Sequence, residues 1–485
     1  MAATIHTAIL RGIKAIPIEV EVSISGGIPG LTIVGMPDAA VLEARSRIRC
    51  ALRAAGFTVP RLHVTVNLSP SEIRKSGSGL DLPIAVAILC ATQQLTTSIA
   101  FDNLLIVGEL SLDGDICPVR GEAAYEQYCQ VHHLHLCGAL QTSSYGWNIC
   151  NLSQLRSGAC VKQLEHVPEP IDSYYSSAID EVGDYNQVYG QELVKRALII
   201  SAVGKHGLLM VGPPGAGKTM LARRLPSILP PLTQRQIQEV LLIHSVAGLP
   251  IQYVTQGIPV FRAPHHSISI AGMVGGGRPV MPGEISLAHR GVLFLDEIPE
   301  FASNTLQVLR QPIEHKMVRL VRADGVYEFP SDFLLIGAAN PCPCGYFGDP
   351  GHVCHCSKAA VNKYLGKIGG PLMDRIDLHV DVPRPSAAQV LGRQSGLSTQ
   401  DMKTLVLDGI SFRAERLVSQ ADDFKTFSTE ARHALESFSN SYSLGGRAIA
   451  RTIALARTIA DIDQRVFVNG DDVIEAVTYR MRDAG

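Results

Sequence analysis

The sequence predicts an α/β chain of more than one domain, built around a parallel sheet that carries a phosphate loop. Three observations predict it. Gly212-Pro213-Pro214-Gly215-Ala216-Gly217-Lys218-Thr219 fits G-x-x-x-x-G-K-[ST] and lies between a buried-strand pattern at 207–211 and a helix-like run at 220–225. Two more apolar runs, 291–295 and 333–339, end on polar residues, as central parallel strands do where they meet a site. Residues before 166 alternate like half-buried strands, and those after 384 repeat at helical spacing. The expected divisions are an α/β domain over 1–166, a linker over 167–183, a nucleotide-binding core over 184–383 and a helical lid over 384–485.

Composition narrows the function. A chain of 485 residues exceeds what one core holds, and 46% hydrophobic with 18% charged residues is a globular balance. A net charge of −2 and a pI near 6.8 exclude a broadly cationic surface, so any nucleic-acid grip must be local. The longest apolar run, 82–90, is core-sized and too short to cross a membrane. No signal-peptide pattern opens the chain, so the expectation is a cytoplasmic protein without a membrane partner. Eleven cysteines in that setting are reduced thiols or metal ligands.

In the N-terminal third, 18–24 and 63–68 alternate as strands, with Gly26-Gly27 and Pro29-Gly30 as turns. A helix is expected over 38–55, stopped by Gly56, with Arg45, Arg49 and Arg53 along one solvated face. The run around His132, His133 and His135, flanked by Cys129 and Cys137, alternates like a strand and is read as ordinary core and surface. Ser78-Gly79-Leu80-Asp81-Leu82-Pro83-Ile84-Ala85 and Gly108-Glu109-Leu110-Ser111-Leu112-Asp113-Gly114 resemble the Lon-protease-like domain of several bacterial ATPases. The resemblance places Gly79 at the nucleophile position and Tyr125 at the base position. It therefore implies a non-catalytic scaffold or binding surface, since a serine needs a nearby base to act.

The core carries the chemistry. Glycines let the loop's N–H groups turn toward phosphates, the following helix adds its positive end, and Lys218 supplies the point charge. Thr219 and Asp296 suit Mg²⁺, and Glu297, next along, suits polarisation of a water. Asn340 ends the 333–339 strand and suits holding that water or sensing the γ-phosphate. Met220, the residue after the loop, completes the nucleotide-contacting run. Cys342-x-Cys344 and Cys354-x-Cys356 supply four thiolates for a structural Zn²⁺ site, with His352 and His355 as substitute ligands.

The order of these parts resembles the ring-forming AAA+ ATPases. Phe261-Arg262-Ala263-Pro264-His265-His266-Ser267, Met281-Pro282-Gly283-Glu284-Ile285-Ser286-Leu287-Ala288-His289 and Asn340-Pro341-Cys342-Pro343-Cys344-Gly345 narrow it to the magnesium-chelatase-like ComM/YifB family, over nearly the whole chain. The resemblance implies that Gly190 and Gln191 lie against the adenine. It casts Arg375 as an arginine finger toward a neighbouring subunit and Arg447, at the start of a lid helix, as the second sensor. It makes 270–282, with Arg278, a helix-2 insertion, and the hairpin over 316–329, with Arg319 and Arg322, a DNA-contacting element. The implied function is a homo-hexameric, ATP- and Mg²⁺-dependent DNA helicase that promotes branch migration in homologous recombination, of the kind that integrates DNA in natural transformation, with recombination proteins as further partners. The alternatives are a chelatase-like or protein-remodelling ATPase and, disfavoured by Gly79 and Tyr125, a protease. Beyond the core, Ile449, Ile453 and Ala456 share one helical face, and a last helix is expected over 471–479 after an Asn469-Gly470 turn.

Overall fold

A computed structural model describes residues 2–95, 101–141, 146–156, 162–163, 183–392, 396–419, 426–442 and 444–480. Of the expected linker at 167–183, only Gly183 falls among them. The early alternation becomes a four-stranded sheet of β1 (Ala2–Arg11), β2 (Lys14–Ser25), β3 (Gly30–Val34) and β4 (His63–Ser69) in the order β1-β2-β4-β3. Two helices cover it, α1 (Ala39–Ala54) and α2 (Asp81–Ala91), and share its hydrophobic cluster. Asp38 caps α1 by accepting the Val41 N–H at 2.9 Å, and Gly56 follows its end at φ +80°. Arg45, Arg49 and Arg53 are exposed, but Arg47 turns inward and grips the fully buried Asp81 through Nε at 2.7 Å and Nη2 at 3.1 Å. A carboxylate taken from water needs such a partner. The pair therefore locks α1 to α2.

A second N-terminal sheet has the order β8-β7-β6-β5, from β5 (Leu104–Ile106), β6 (His135–Gly138), β7 (Gly146–Asn148) and β8 (Lys162–Gln163). The strand expected through His132 is corrected here. α3 (Glu122–His132) runs to His132, His133 ends it at φ +56°, and only His135 begins a strand. The cause is Cys129: buried with Tyr125 on the helix's inner face, it fixes a helical period where the histidines alone read as alternation.

The core sheet is wholly parallel. α4 (Glu192–Gly204) leads into β9 (Leu208–Val211), the phosphate loop and the short α5 (Lys218–Arg223), then α6 (Gln234–Ala247). β10 (Phe261–Arg262), β11 (Val292–Leu295), the hairpin β12 (Met317–Arg322) and β13 (Gly325–Pro330), β14 (Leu334–Ala339) and β15 (Leu378–Asp381) follow. The sheet order is β10-β11-β14-β9-β15. β9 is buried on both faces, and its side chains divide with period two. Leu208 and Met210 enter a cluster shared with the C-terminal helices, whereas Leu209 and Val211 enter one shared with Met273, Ile285 and the hairpin's Phe329.

The C-terminal helices are α7 (Thr399–Ser419), α8 (Thr429–Ser441), α9 (Gly446–Ile462) and α10 (Gly470–Arg480). Leu455 and Ile459 of α9 pack into the sheet-side cluster, and Arg416 with Arg457 encloses the buried Asp461 at 2.8 and 3.1 Å. The N-terminal domain touches the core directly: Gly121 N donates to Ser245 O at 3.0 Å, and Arg11 Nη2 to Asp324 O at 3.1 Å. No helix among the described residues is long and apolar enough to cross a membrane.

Candidate functional site

The parallel strands deliver their polar ends to one place. Lys218 leaves the loop as the first residue of α5, and its Nζ donates to Gly212 O at 2.6 Å, Pro213 O at 3.1 Å and Asn340 Oδ1 at 3.2 Å. Burial lowers its pKa, while Asp296 and Glu297 support the charge. Thr219 Oγ1 donates to Asp296 Oδ2 at 2.7 Å, so a hydroxyl from the start of α5 and a carboxylate just past β11 already converge. That oxygen pair is the donor set a hard divalent cation such as Mg²⁺ takes. Gly212 has no room for a side chain, because a Cβ would sit 2.1 Å from Val382 O. Met220 is largely exposed on α5.

Glu297 sits just past β11 at φ +49°, a strained value for a non-glycine residue, with its side chain half exposed. His266 Nδ1 lies 3.9 Å from Glu297 Oε2. The sequence reading did not assign this histidine, and its only signal was its place in the Ala-Pro-His-His segment after β10. Arg262, at the end of β10, forms a two-pronged ion pair with Glu284 at 2.7 and 2.6 Å, tying two of the motif segments together. On the other flank Gly190 and Gln191 both have positive φ, and Gln191 Nε2 donates to Pro383 O at 2.5 Å.

Arg375 and Arg447 are not part of this constellation. Arg375 precedes β15, where Asp377 N donates to Gly207 O at 3.0 Å, and its guanidinium pairs with Glu314. Gly207 and Gly212 flank β9 at opposite ends, roughly 15 Å apart at strand rise. α9 points the same way, since Thr458 meets His206 at 2.9 Å and Arg451 meets Asp377 at 3.1 Å. Arg447, one turn before Arg451, is exposed beyond that strand-start end.

The two insertions meet one another. Residues 270–282 form a short helix and an antiparallel pair, Gly275–Gly276 with Met281–Pro282, leaving Arg278 exposed in the turn. In the hairpin, Arg322 pairs with Gly325 across a two-residue turn, so β13 begins at Gly325. Arg319 lies opposite Glu328 and pairs with it at 3.6 Å, whereas the Arg322 Nη2 rests 3.1 Å from where a Gly276 Cβ would stand.

The cysteines cluster. Sγ separations are 3.3 Å for Cys342–Cys344, 3.7 Å for Cys342–Cys354 and 3.6 Å for Cys344–Cys354, and all four sulfurs, Cys356 included, lie within 4.8 Å of one another. A tetrahedral Zn–S bond of about 2.3 Å sets sulfurs about 3.8 Å apart, so the set fits zinc. The Tyr346 N–H and the Cys342 thiol pull Cys344 down to about 6, toward the thiolate that metals bind. The substitute role for His352 is corrected. His352 contacts Asp349 at 3.2 Å and Arg384 at 3.0 Å and stacks on Tyr346. His355 is exposed. Arg384, also unassigned from sequence, donates to Pro214 O at 3.3 and 3.1 Å and lies over the Tyr346 ring at 5.7 Å. A Cβ on Gly345 would sit 2.8 Å from Pro214 Cδ. The cysteine loop thus rests directly on the phosphate loop.

Comparison with known proteins gives the family. A family model described as magnesium chelatase, subunit ChlI, matches residues 184–390. Companion models for that subunit match 20–136 and, for its C-terminal part, 397–480. The chain is 37% identical over 499 residues to the uncharacterized protein YifB of Escherichia coli strain K12, covering 99% of this chain and 97% of that one. It is 34% identical over 502 residues to the competence protein ComM of Haemophilus influenzae, at 99% and 97% coverage. The magnesium-chelatase 67 kDa subunit of Heliobacterium mobile is 28% identical over 193 residues, 33% of this chain and 28% of that subunit.

Proposed function

Because the chain belongs to the ComM/YifB family of magnesium-chelatase-like AAA+ ATPases, we propose that it is a homo-hexameric DNA motor driving branch migration during recombination, including integration of transforming DNA. The N–H groups of 212–217 and Lys218 hold the phosphates of ATP, and Gly190 and Gln191 flank its base. Thr219 and Asp296 hold Mg²⁺, which neutralises phosphate charge when bound. Glu297 takes a proton from the attacking water, with His266 orienting its carboxylate. Asn340, already on Lys218, links that water to the γ-phosphate position. Arg375 and Arg447 act on a neighbouring protomer's nucleotide, because their own lies at the far end of the sheet. Cys342, Cys344, Cys354 and Cys356 hold a structural Zn²⁺.

The observation that supports DNA as the substrate is the meeting of two core insertions, each presenting an arginine, Arg278 and Arg322, on a chain of net charge −2. Six copies would form a local basic collar, which is how a nearly neutral protein holds a polyanion. Steady-state ATPase with and without forked DNA tests the reading. DNA should stimulate the wild type, and Arg319→Ala/Arg322→Ala should keep basal turnover while losing stimulation and branch migration. Absence of stimulation in the wild type would favour the chelatase-like or protein-remodelling alternative.

A further inference from the structure

The N-terminal domain and the two insertions enclose a cavity of about 520 Å³. Four arginines line it, two from each side: Arg74 and Arg120 from the N-terminal domain, Arg278 and Arg322 from the insertions. All four are exposed. Its two acids are engaged locally, Asp38 by the Val41 N–H at 2.9 Å and Asp324 by the Tyr327 hydroxyl at 2.7 Å. Leu10, Val280 and Met281 add apolar lining. The walls are held together. Arg11 donates to Asp324 O at 3.1 Å, and the Arg120 guanidinium approaches Met281 Sδ at 3.8 Å. Gly12 lies so close to Glu328 that a Cβ would sit 2.8 Å from its carbonyl oxygen.

We propose that this cavity binds the phosphodiester backbone of single-stranded DNA, and that the N-terminal domain is thereby half of the motor's grip. The inference rests on the DNA reading above and adds Arg74 and Arg120 to it. The four guanidiniums of the lining offer partners to phosphates, and its apolar side chains suit sugar and base faces. Single-strand sites combine these two chemistries, whereas a duplex offers its bases to neither. The grip also explains the docking. A domain whose tip contacts fix the hairpin's Asp324 sets where Arg322 points, so strand contact and hairpin position are coupled.

The test uses the full-length protein and a fluorescently labelled oligothymidine, with anisotropy read across a salt series. Arg74→Gln/Arg120→Gln should keep basal ATPase and its melting temperature. Its affinity should fall at least tenfold, and its log–log salt slope should become shallower by about 1 for each arginine that touches phosphate. The Arg74→Lys/Arg120→Lys variant should recover most of the affinity. Arg45→Gln/Arg49→Gln, on the same domain's outer helix face, should bind like the wild type. Pyrophosphate at matched phosphate concentration should not compete. If the wild type binds DNA and the Arg74/Arg120 variant binds equally, the cavity is not a strand site while the motor reading stands. If the Arg45/Arg49 variant loses as much, only overall charge is at work and the inference fails. Competition by pyrophosphate would make it a small-anion site. A wild type that binds no DNA overturns both readings together.

Discussion

The two ends of the core sheet are built in opposite ways. Where the strands finish, Lys218 already reaches Asn340 at 3.2 Å and Thr219 reaches Asp296 at 2.7 Å. Where they begin, Arg375 is held by Glu314, Arg451 and His206 share Asp377, and Arg447 stands exposed. One end is complete in its loop lysine, acid and asparagine within a single chain. The other carries cations paired with local acids, Arg375 with Glu314 and Arg451 with Asp377, beside the exposed Arg447. The difference teaches that these arginines lie a strand's length from the phosphate loop of their own chain, so that in the proposed ring they would serve a neighbour's site.

The largest effects should come from the complete end. Lys218→Ala should cut hydrolysis by more than about 10³-fold, because a buried anion site loses its point charge. Glu297→Gln should bind ATP with near wild-type affinity and hydrolyse it at least about 10²-fold more slowly. Fluorescent-nucleotide titration beside a phosphate-release assay separates the two. Wild-type turnover by Glu297→Gln would dissolve the comparison at its better-defined end.

The opposite end should show a slightly smaller loss with a different signature. Arg375→Ala should keep ATP binding and lose about 10²–10³-fold in turnover. Mixed with Lys218→Ala chains, it should regain activity, since a hybrid interface joins an intact phosphate loop to an intact Arg375. Mixing Lys218→Ala with Glu297→Gln should recover nothing. Failure of every Arg375 mixture would mean that the two ends do not meet across protomers.

How much of this was legible in the sequence follows the same division. The phosphate loop, Asp296-Glu297 and Asn340 were readable because each is a short pattern at the end of an apolar strand, and parallel strands must bring such ends together. The Asp38 cap and the Gly56 stop were readable for the same local reason, and the four cysteines by their spacing. His132 was misread because three histidines alternate while the helical signal lay in Tyr125 and Cys129. His266 beside Glu297, Arg384 on Pro214 and Arg11 on Asp324 had no local signature. The last two join residues 170 and 313 positions apart, and only the folded sheet determines that they meet. The strand order and the docking of the N-terminal domain on the hairpin are non-local in the same sense.

The cysteine loop sharpens the comparison, because it supports only the complete end. Arg384→Ala removes charged hydrogen bonds to Pro214 O, worth roughly 1–2 kcal/mol, so ATP should bind about tenfold more weakly. Chelation, or Cys354→Ser, should remove one zinc per chain by metal analysis and weaken ATP binding similarly, while Arg375-dependent complementation persists in the ATP-saturated protein. Chelated protein that lost its zinc but bound ATP unchanged would show that the loop rests on the phosphate loop without supporting it.

The smallest effect concerns His289, just before β11 at the strand-start end, whose partners are Glu239 and Asp332. Its Nδ1 accepts the Asp332 N–H at 3.0 Å, and its Nε2 faces Glu239 at 3.3 Å, with Arg290 bridging those two acids at 2.9 and 2.5 Å. Burial pushes its pKa down to about 4 from the ordinary 6.5, a shift that the Glu239 contact opposes. The folded state therefore holds the ring neutral while the unfolded chain protonates it below pH 6.5. Stability from this site is complete above that pH and is lost as pH falls toward 4. At pH 5 the linkage amounts to about 2 kcal/mol, or roughly 4–8 °C in the melting of a domain of the core's size. His289→Gln should melt lower at pH 7 but lose less than the wild type between pH 7 and pH 5. ATPase ratios between the complete-end and opposite-end variants should not change across that range, since His289 serves the sheet and neither site. A wild type and variant that lose stability in parallel between pH 7 and pH 5 would show that acid sensitivity is set elsewhere in the chain.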